Sequence, residues 1–455
     1  MRPRSLDAYV QAVRTHTSKE FGRMRPRCSD ACVQEVWKFN LVANFLLIIS
    51  GRLNLLFCLP SNSQIFYIFA QYLLFMRKQY ILLIISLFLC LLMAVSCNIK
   101  EDKGGFTQAN ASLSVKYAAG FSVSYFQDYK RVEVFNPWQT NTSLAVYYLV
   151  SDKSAKVPND GIRIQIPLNK LGITSCTHIE FLNLLGVLST VKGVSTPDLI
   201  YNQYLQEAYQ RGELVHLGDA FKINFEKLLL LSPDALMVSC YNNHQDENTR
   251  RLQDANVKLI YNNEWMEESL LARAEWIKFI AAFYNKESLA DSIFNTIENN
   301  YIQAQTLANK VEIKPSILSG GNFKGTWYMP SGRIFMSKLY TDAGGYYYYA
   351  DDTNTGSLPL SFETVLLNQQ NSDVWLNAQA NSIEELLAQD QRHALFYAVK
   401  NKRVYNFNAR SNKQGANDFW EGAIAHPDII LYDVIWALHP NLLPDYQPFY
   451  IKQLK

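Results

Sequence analysis

From about Leu113 onward the apolar positions fall into short runs with two distinct periods. Phe121–Phe126 and Arg131–Phe135 alternate with period two and predict a hairpin, and Leu144–Val150 predicts a further strand. The pattern then changes to an alternation of strands and helices. Strands are predicted over Gly172–Cys176, Val191–Val194, Ala235–Ser239 and Val257–Tyr261. Helices are predicted over Ile179–Leu185, Phe225–Leu231 and Thr249–Ala255. Leu270, Ala274, Ile277, Ala281 and Tyr284 then step by four and three along one face of a longer helix, with Arg273, Glu275 and Lys278 off that face. A second helix is predicted from Lys286 to about Leu307. Pro315 opens a second α/β series with strands over Ser316–Ser319, Asp373–Leu376 and Arg403–Asn406, ending in a helical stretch from Trp420 to Leu438.

The two series resemble each other. Asn224-Phe225-Glu226-Lys227-Leu228-Leu229-Leu230 leads to Pro233-Asp234 and a strand, and Ser361-Phe362-Glu363-Thr364-Val365-Leu366-Leu367 leads to Asp373 and a strand. Alternation of this kind predicts an α/β fold of two lobes, each with a mostly parallel central sheet. One long linker helix joins the lobes, and the ligand cleft lies between them. The expected boundaries are an N-terminal lobe over 113–263, a linker helix over 264–285 and a C-terminal lobe over 286–455.

The first hundred residues read differently. Met76-Arg77-Lys78 is a basic head, Ile81–Met93 an apolar run, and Ala94-Val95-Ser96-Cys97 a small-residue ending. That is the layout of a secretory signal over 76–96, and its ending resembles a bacterial lipobox with Cys97 as the lipidated residue. Ala94 stands where that motif usually has Leu. A plain membrane-spanning helix is the competing reading of the apolar run. Residues 1–75 are expected to be an upstream extension from a start assigned too early, the alternative being a further membrane segment. Residues 97–112 read as a flexible charged tether. Its acidic patch resembles the surface-export signals of Bacteroidetes lipoproteins, a solvated linker being the plainer reading.

Charge follows the same division. Eleven basic and four acidic residues lie before Cys97, against 32 basic and 37 acidic after it. The mildly acidic body excludes a nucleic-acid footprint. Five of seven cysteines precede residue 98, leaving Cys176 and Cys240 either as a disulfide or as two buried thiols. No Gly-x-Ser-x-Gly, P-loop or His-Glu-x-x-His pattern occurs in the body, so no catalytic residues, metal site or cofactor are assigned and an enzyme is not expected.

Four stretches carry a family resemblance. The first comprises Gly193-Val194-Ser195 and the span from Gly218-Asp219 through Asn224-Phe225-Glu226-Lys227 to Ser232-Pro233-Asp234. The others are Arg273–Phe279, Gly356–Glu363 and Gly415–Glu421. Together they resemble the helical-backbone (class III) periplasmic substrate-binding proteins of iron-siderophore and cobalamin ABC importers, and within these the lipoproteins of Bacteroidetes. The resemblance runs from about Leu113 to Lys455. It implies a monomer in the cell envelope, lipid-anchored in the periplasm, that captures a metal chelate and delivers it to an ABC permease with its ATPase. A ferric siderophore is the first expectation and cobalamin the second. It further implies that Glu226 and Glu363, one per lobe, dock into basic pockets of the permease; the plain alternative is a glutamate favoured by the first turn of a helix.

The loops after the strand ends supply the ligand candidates: Trp138, Thr177, His178, Tyr241 and Trp265 from the first lobe, and Trp327, Tyr328, Arg333, Trp375 and Arg410 from the second. Aromatic walls with a few directed polar groups suit a large flat chelate, and either arginine could clamp carboxylates or catecholates. His178 and His244 could approach each other and ligate a metal or haem, or simply make loop hydrogen bonds. Two rival functions share this plan: a surface chelate- or haem-capture lipoprotein without an ABC partner, and a chelatase-like enzyme.

Overall fold

The computed structural model describes residues 109–241 and 247–455. The signal segment, Cys97, the tether as far as residue 108 and His244 lie outside the described residues. Chain order begins with β1 (Ala111–Ser112), β2 (Phe121–Tyr125), β3 (Lys130–Phe135), β4 (Ser143–Val150) and β5 (Ile162–Gln165), which form one sheet in that order. Its pairs are antiparallel except β4 with β5. Phe121, Val123, Val132 and Val134 point inward as the period-two pattern requires.

The first parallel sheet is built from β6 (Leu171–Ile173), β7 (Val191–Val194), β8 (Val215–His216), β11 (Ala235–Val238) and β12 (Leu259–Tyr261), in the order β12-β11-β6-β7-β8. A short antiparallel pair, β9 (Gly218–Asp219) and β10 (Lys222–Ile223), follows β8. Helices α1 (Ile179–Leu184), α2 (Gln203–Gln210), α3 (Phe225–Leu231) and α4 (Glu247–Asp254) connect the strands. Every neighbouring pair of the five-stranded sheet is parallel, so the loops after all five strands open on one edge.

Helix α5 (Leu270–Ala282) follows, then α6 (Glu287–Ala308). The second parallel sheet has the order β16-β13-β18-β19-β20, from β13 (Ser316–Ser319), β16 (Tyr346–Tyr347), β18 (Val374–Leu376), β19 (Val404–Asn406) and the antiparallel edge β20 (Lys452–Gln453). Its helices are α7 (Phe335–Asp342), α8 (Phe362–Gln369), α9 (Ile383–Gln389), α10 (Tyr397–Lys400) and α11 (Pro427–Leu438). An antiparallel sheet of β14 (Gly321–Phe323), β15 (Thr326–Pro330) and β17 (Ser357–Leu360) is inserted after β13. The sharp entry to it needs glycine: Gly320 has φ +74°, and a Cβ there would meet the Tyr328 carbonyl oxygen at 2.2 Å.

The two lobes and the joining helix are as expected, but the helix is not amphipathic. All thirteen residues of α5 are buried, including Arg273, Glu275 and Lys278. The reason is that the first sheet, α1, α6 and the C-terminal lobe surround it. Its acidic groups find partners in the loop before β2. The Glu275 carboxylate accepts backbone N–H groups of Lys116, Tyr117 and Ala118 at 2.7–3.1 Å, and Glu267, just before the helix, accepts those of Ala119 and Gly120. Buried carboxylates held this way replace the hydration they lose. Apolar contact completes the seam, with the Phe121 ring 5.0 Å from Trp276 and 5.5 Å from Phe279.

Candidate functional site

At the root of the crevice, β6 runs into a turn in which Ser175 accepts the N–H of Thr177, and His178 lies fully buried. His178 Nε2 sits 3.2 Å from Ser239 Oγ, and burial lowers its pKa to about 3, leaving a neutral ring. Beside it, the buried Glu264 and Arg273 stand 3.4 Å apart. Burial raises the Glu264 carboxyl and lowers the Arg273 guanidinium. The guanidinium lies 4.3 Å over the ring of Phe335, which belongs to the C-terminal lobe, so the linker-helix arginine reaches that lobe through a cation–π contact.

The strand ends of the N-terminal lobe carry an aromatic run. Phe221 stands 5.2 Å from Tyr241, and Tyr241 stands 5.5 Å from Trp265. They come from the β9–β10 turn and from the loops after β11 and β12. Phe221 is exposed and the other two are half-buried, so the run presents ring surface at the strand ends.

Between the lobes lies a cavity of about 670 Å³ with a mixed polar and apolar lining. Glu180, Asn183, Tyr201, Asn202 and Gln203 line it from the N-terminal lobe, and Arg410, Asp418, Glu421 and His426 from the other. Glu421 accepts the backbone N–H of Tyr201 and of Asn202, each at 2.7 Å. Burial pushes its carboxyl up to about 8, opposed by those two bonds and assisted by the nearby Asp418 and Glu180 charges. His426 Nε2 meets Glu180 Oε1 at 3.1 Å, and the Cys176 thiol donates to the Trp420 carbonyl at 3.5 Å. Arg410 is ion-paired to Asp418 at 2.6 Å and stacks over Phe449 and Tyr201 at 4.1 and 5.2 Å. The loop that delivers Tyr201 begins at Thr196, a β-branched residue held at φ +47°.

The structure brings Tyr241 and Trp265 together and places Arg410 in the cavity. Thr177 is half-buried at the root of the crevice, its hydroxyl 2.9 Å from Ser175 Oγ. Tyr328 alternates with the buried Trp327 and Met329 on β15 and points off the core. Arg333 is exposed and ion-paired to Glu268. Four expectations need correcting. Trp327 and Trp375 are sealed in the C-terminal core 5.2 Å apart, each donating its indole N–H to a backbone carbonyl, of Ser319 and of Gly320. Alternation on β15 and the central place of β18 turn them inward. Trp138 sits in the turn between the antiparallel β3 and β4, not after a parallel strand. His178, being buried and bonded to Ser239, is part of the packing. Of the two readings left open for Cys176 and Cys240, the structure shows two thiols not joined to each other by a disulfide.

Tyr201, Glu421, His426 and Phe221 were not among the predicted ligand residues. The rule that selected Thr177 applies equally to the loop after β7, which carries Tyr201. Glu421 lies at the end of a long irregular stretch after β19, where no strand end points to it.

Residues 174–410 match the model of the periplasmic binding protein family. An uncharacterized lipoprotein of Methanocaldococcus jannaschii is 23% identical over 74% of this chain and 84% of its own length. Among solved structures, a periplasmic heme binding protein from Pseudomonas aeruginosa is 16% identical with a TM-score of 0.49, covering 63% of this chain and 98% of that one. The periplasmic vitamin B12 binding protein of Vibrio cholerae is 17% identical with a TM-score of 0.44, covering 60% and 96%. The matched span runs through both parallel sheets and the helix that joins them, and the chain belongs to the periplasmic binding protein family.

Proposed function

We propose that the protein is a lipid-anchored solute-binding protein of the cell envelope that holds a metal chelate between its lobes and passes it to an ABC importer permease. A ferric siderophore is the first candidate and cobalamin the second. The observation that carries this reading is the crevice itself. A cavity of about 670 Å³ falls within the roughly 300–1,000 Å³ typical of small-molecule sites, and both lobes line it with polar and aromatic side chains, among them Tyr201, Arg410 and Phe449. Phe221, Tyr241 and Trp265 offer ring faces to a flat ligand, while Arg410 and the tyrosine 201 ring orient its polar edge. The role asked of these residues is binding and release, with no bond made or broken.

Delivery is assigned to Glu226 and Glu363. Each is exposed, in the first turn of a helix capped by the residue two before it, Asn224 or Ser361. The test is uptake of a radiolabelled ferric siderophore or cobalamin by cells carrying the chain with E226K and E363K. Uptake should be lost while the purified variant keeps its ligand affinity. Undiminished uptake would contradict delivery through these glutamates and favour capture without a permease.

A further inference from the structure

Of the large apolar side chains exposed among the described residues, three stand at least 80% open: Leu230 at 80%, Ile313 at 82% and Leu367 at 85%. Two of them occupy the same place in the internal repeat. In α3, Asn224 caps the helix, Phe225 opens it, Glu226 follows, Leu228 is buried and Leu230 is exposed. In α8, Ser361 caps, Phe362 opens, Glu363 follows, Val365 is buried and Leu367 is exposed. In each lobe the exposed leucine is four residues after the glutamate, so the two side chains share a face about 6 Å apart along the axis. The buried neighbour explains the fold of the helix; the exposed leucine has no partner among the described residues that would explain its apolar character.

We infer that Leu230 and Leu367 are the apolar halves of two equivalent contact points, Glu226 with Leu230 and Glu363 with Leu367, that seat on two copies of one permease subunit. The inference rests on the docking reading above. A partner fitting this surface offers, twice, a cationic group with an apolar hollow one helical turn away. Duplication within one chain argues for a partner that is itself duplicated. Charge argues against a lipid surface, since a glutamate beside each leucine would be repelled by anionic headgroups, and membrane-lying helices carry Lys and Arg there instead. The Glu363 pairing with Arg392 does not remove it from the surface: the contact is exposed at 3.1 Å, and Arg392 is independently held by Asp390 and the Phe362 ring.

The experiment places a photo-crosslinking p-benzoylphenylalanine in the full chain at position 230, 367 or, as a control of equal exposure, 313, in cells of its own host. Products are identified by mass spectrometry. Positions 230 and 367 should each join the same ABC permease subunit, position 313 should not, and E226K with E363K should lower both yields at least tenfold. L230Q with L367Q should lower chelate uptake at least tenfold with unchanged ligand affinity and melting temperature. Two results overturn the inference and leave the glutamate docking standing: uptake lost in E226K/E363K but unaffected by L230Q/L367Q, or equal crosslinking from 313. Uptake unaffected by both pairs overturns the docking reading as well. Binding of the purified chain to protein-free anionic vesicles that L230Q/L367Q removes assigns the leucines to lipid and overturns it too.

Discussion

Glu421, on the C-terminal lobe, accepts the backbone N–H of Tyr201, on the N-terminal lobe, at 2.7 Å, and its second oxygen takes the next N–H, of Asn202. A single carboxyl therefore closes one end of the crevice through main-chain donors. Side-chain changes at 201 and 202 leave those donors in place, so the contact constrains the position of the loop more than its sequence.

That clasp gives a pH dependence with a definite sign. The Glu421 carboxyl titrates at about 8 in the folded protein, above its ordinary value of 4.5. The native state thus holds the proton more tightly, and this contribution is complete below about 4.5 and is lost as pH rises through about 8. Thermal melts of the wild type should show stability falling over this window, and E421Q, which cannot ionise, should flatten the slope. Identical slopes in the two proteins would contradict the assignment.

The tryptophans divide into two kinds. Trp375→Ala removes a fully buried ring and its bond to Gly320, and should cost about 3–5 kcal/mol in denaturant unfolding. Trp265→Ala, at the half-buried aromatic run, should cost little stability yet weaken chelate binding by about 1 kcal/mol, some fivefold. Equilibrium unfolding and ligand titration of the pair separate the two roles. Equal effects on affinity would show that the aromatic run is not the wall.

The thiol of Cys176 is pushed up to about 12, burial being the chief cause and Glu421 adding to it. At pH 8 it should resist iodoacetamide in the native protein and react readily after unfolding. Peptide mapping of the Cys176 fragment reads this directly; rapid native labelling would mean that the crevice opens more than the contact with the Trp420 carbonyl implies.

The caps of α3 and α8, the helices of the proposed docking, can be removed without touching their glutamates. Asn224→Ala and Ser361→Ala should each cost about 1 kcal/mol by losing the bond to Lys227 or Thr364 N–H, and together should lower uptake by misplacing Glu226 and Glu363. Melting curves and uptake in the same cells check both effects.

Much of the fold was legible because its signals are local. Val191–Val194, Phe225–Leu231 and Ser316–Ser319 occur as strand, helix and strand at the predicted residues. The helix joining the lobes was found, yet its charged positions were misjudged. A period of 3.6 tells which residues pack together when one face meets the core, and it is silent when neighbours surround the helix and carboxylates meet backbone N–H groups, as Glu275 does. The site was less legible for a related reason. Strand ends locate loops, which is how Tyr241, Trp265 and Arg410 were reached, but whether a tryptophan turns inward depends on strand register, which decided against Trp327. Glu421 is positioned by a long irregular segment and by the other lobe, and no local pattern encodes that meeting.

Binding of a metal chelate in the crevice is the core of the proposed function. Its most direct test is an equilibrium titration of the purified chain with ferric siderophores, cobalamin and haem, read by tryptophan fluorescence and by thermal shift. One ligand should saturate at one per chain and add about 2.7 kcal/mol of stability at a hundred times its Kd, with Trp265→Ala weakening it and Trp327→Phe leaving it unchanged. No saturable binding by any member of the panel, or binding indifferent to Trp265 and Arg410, would contradict the account.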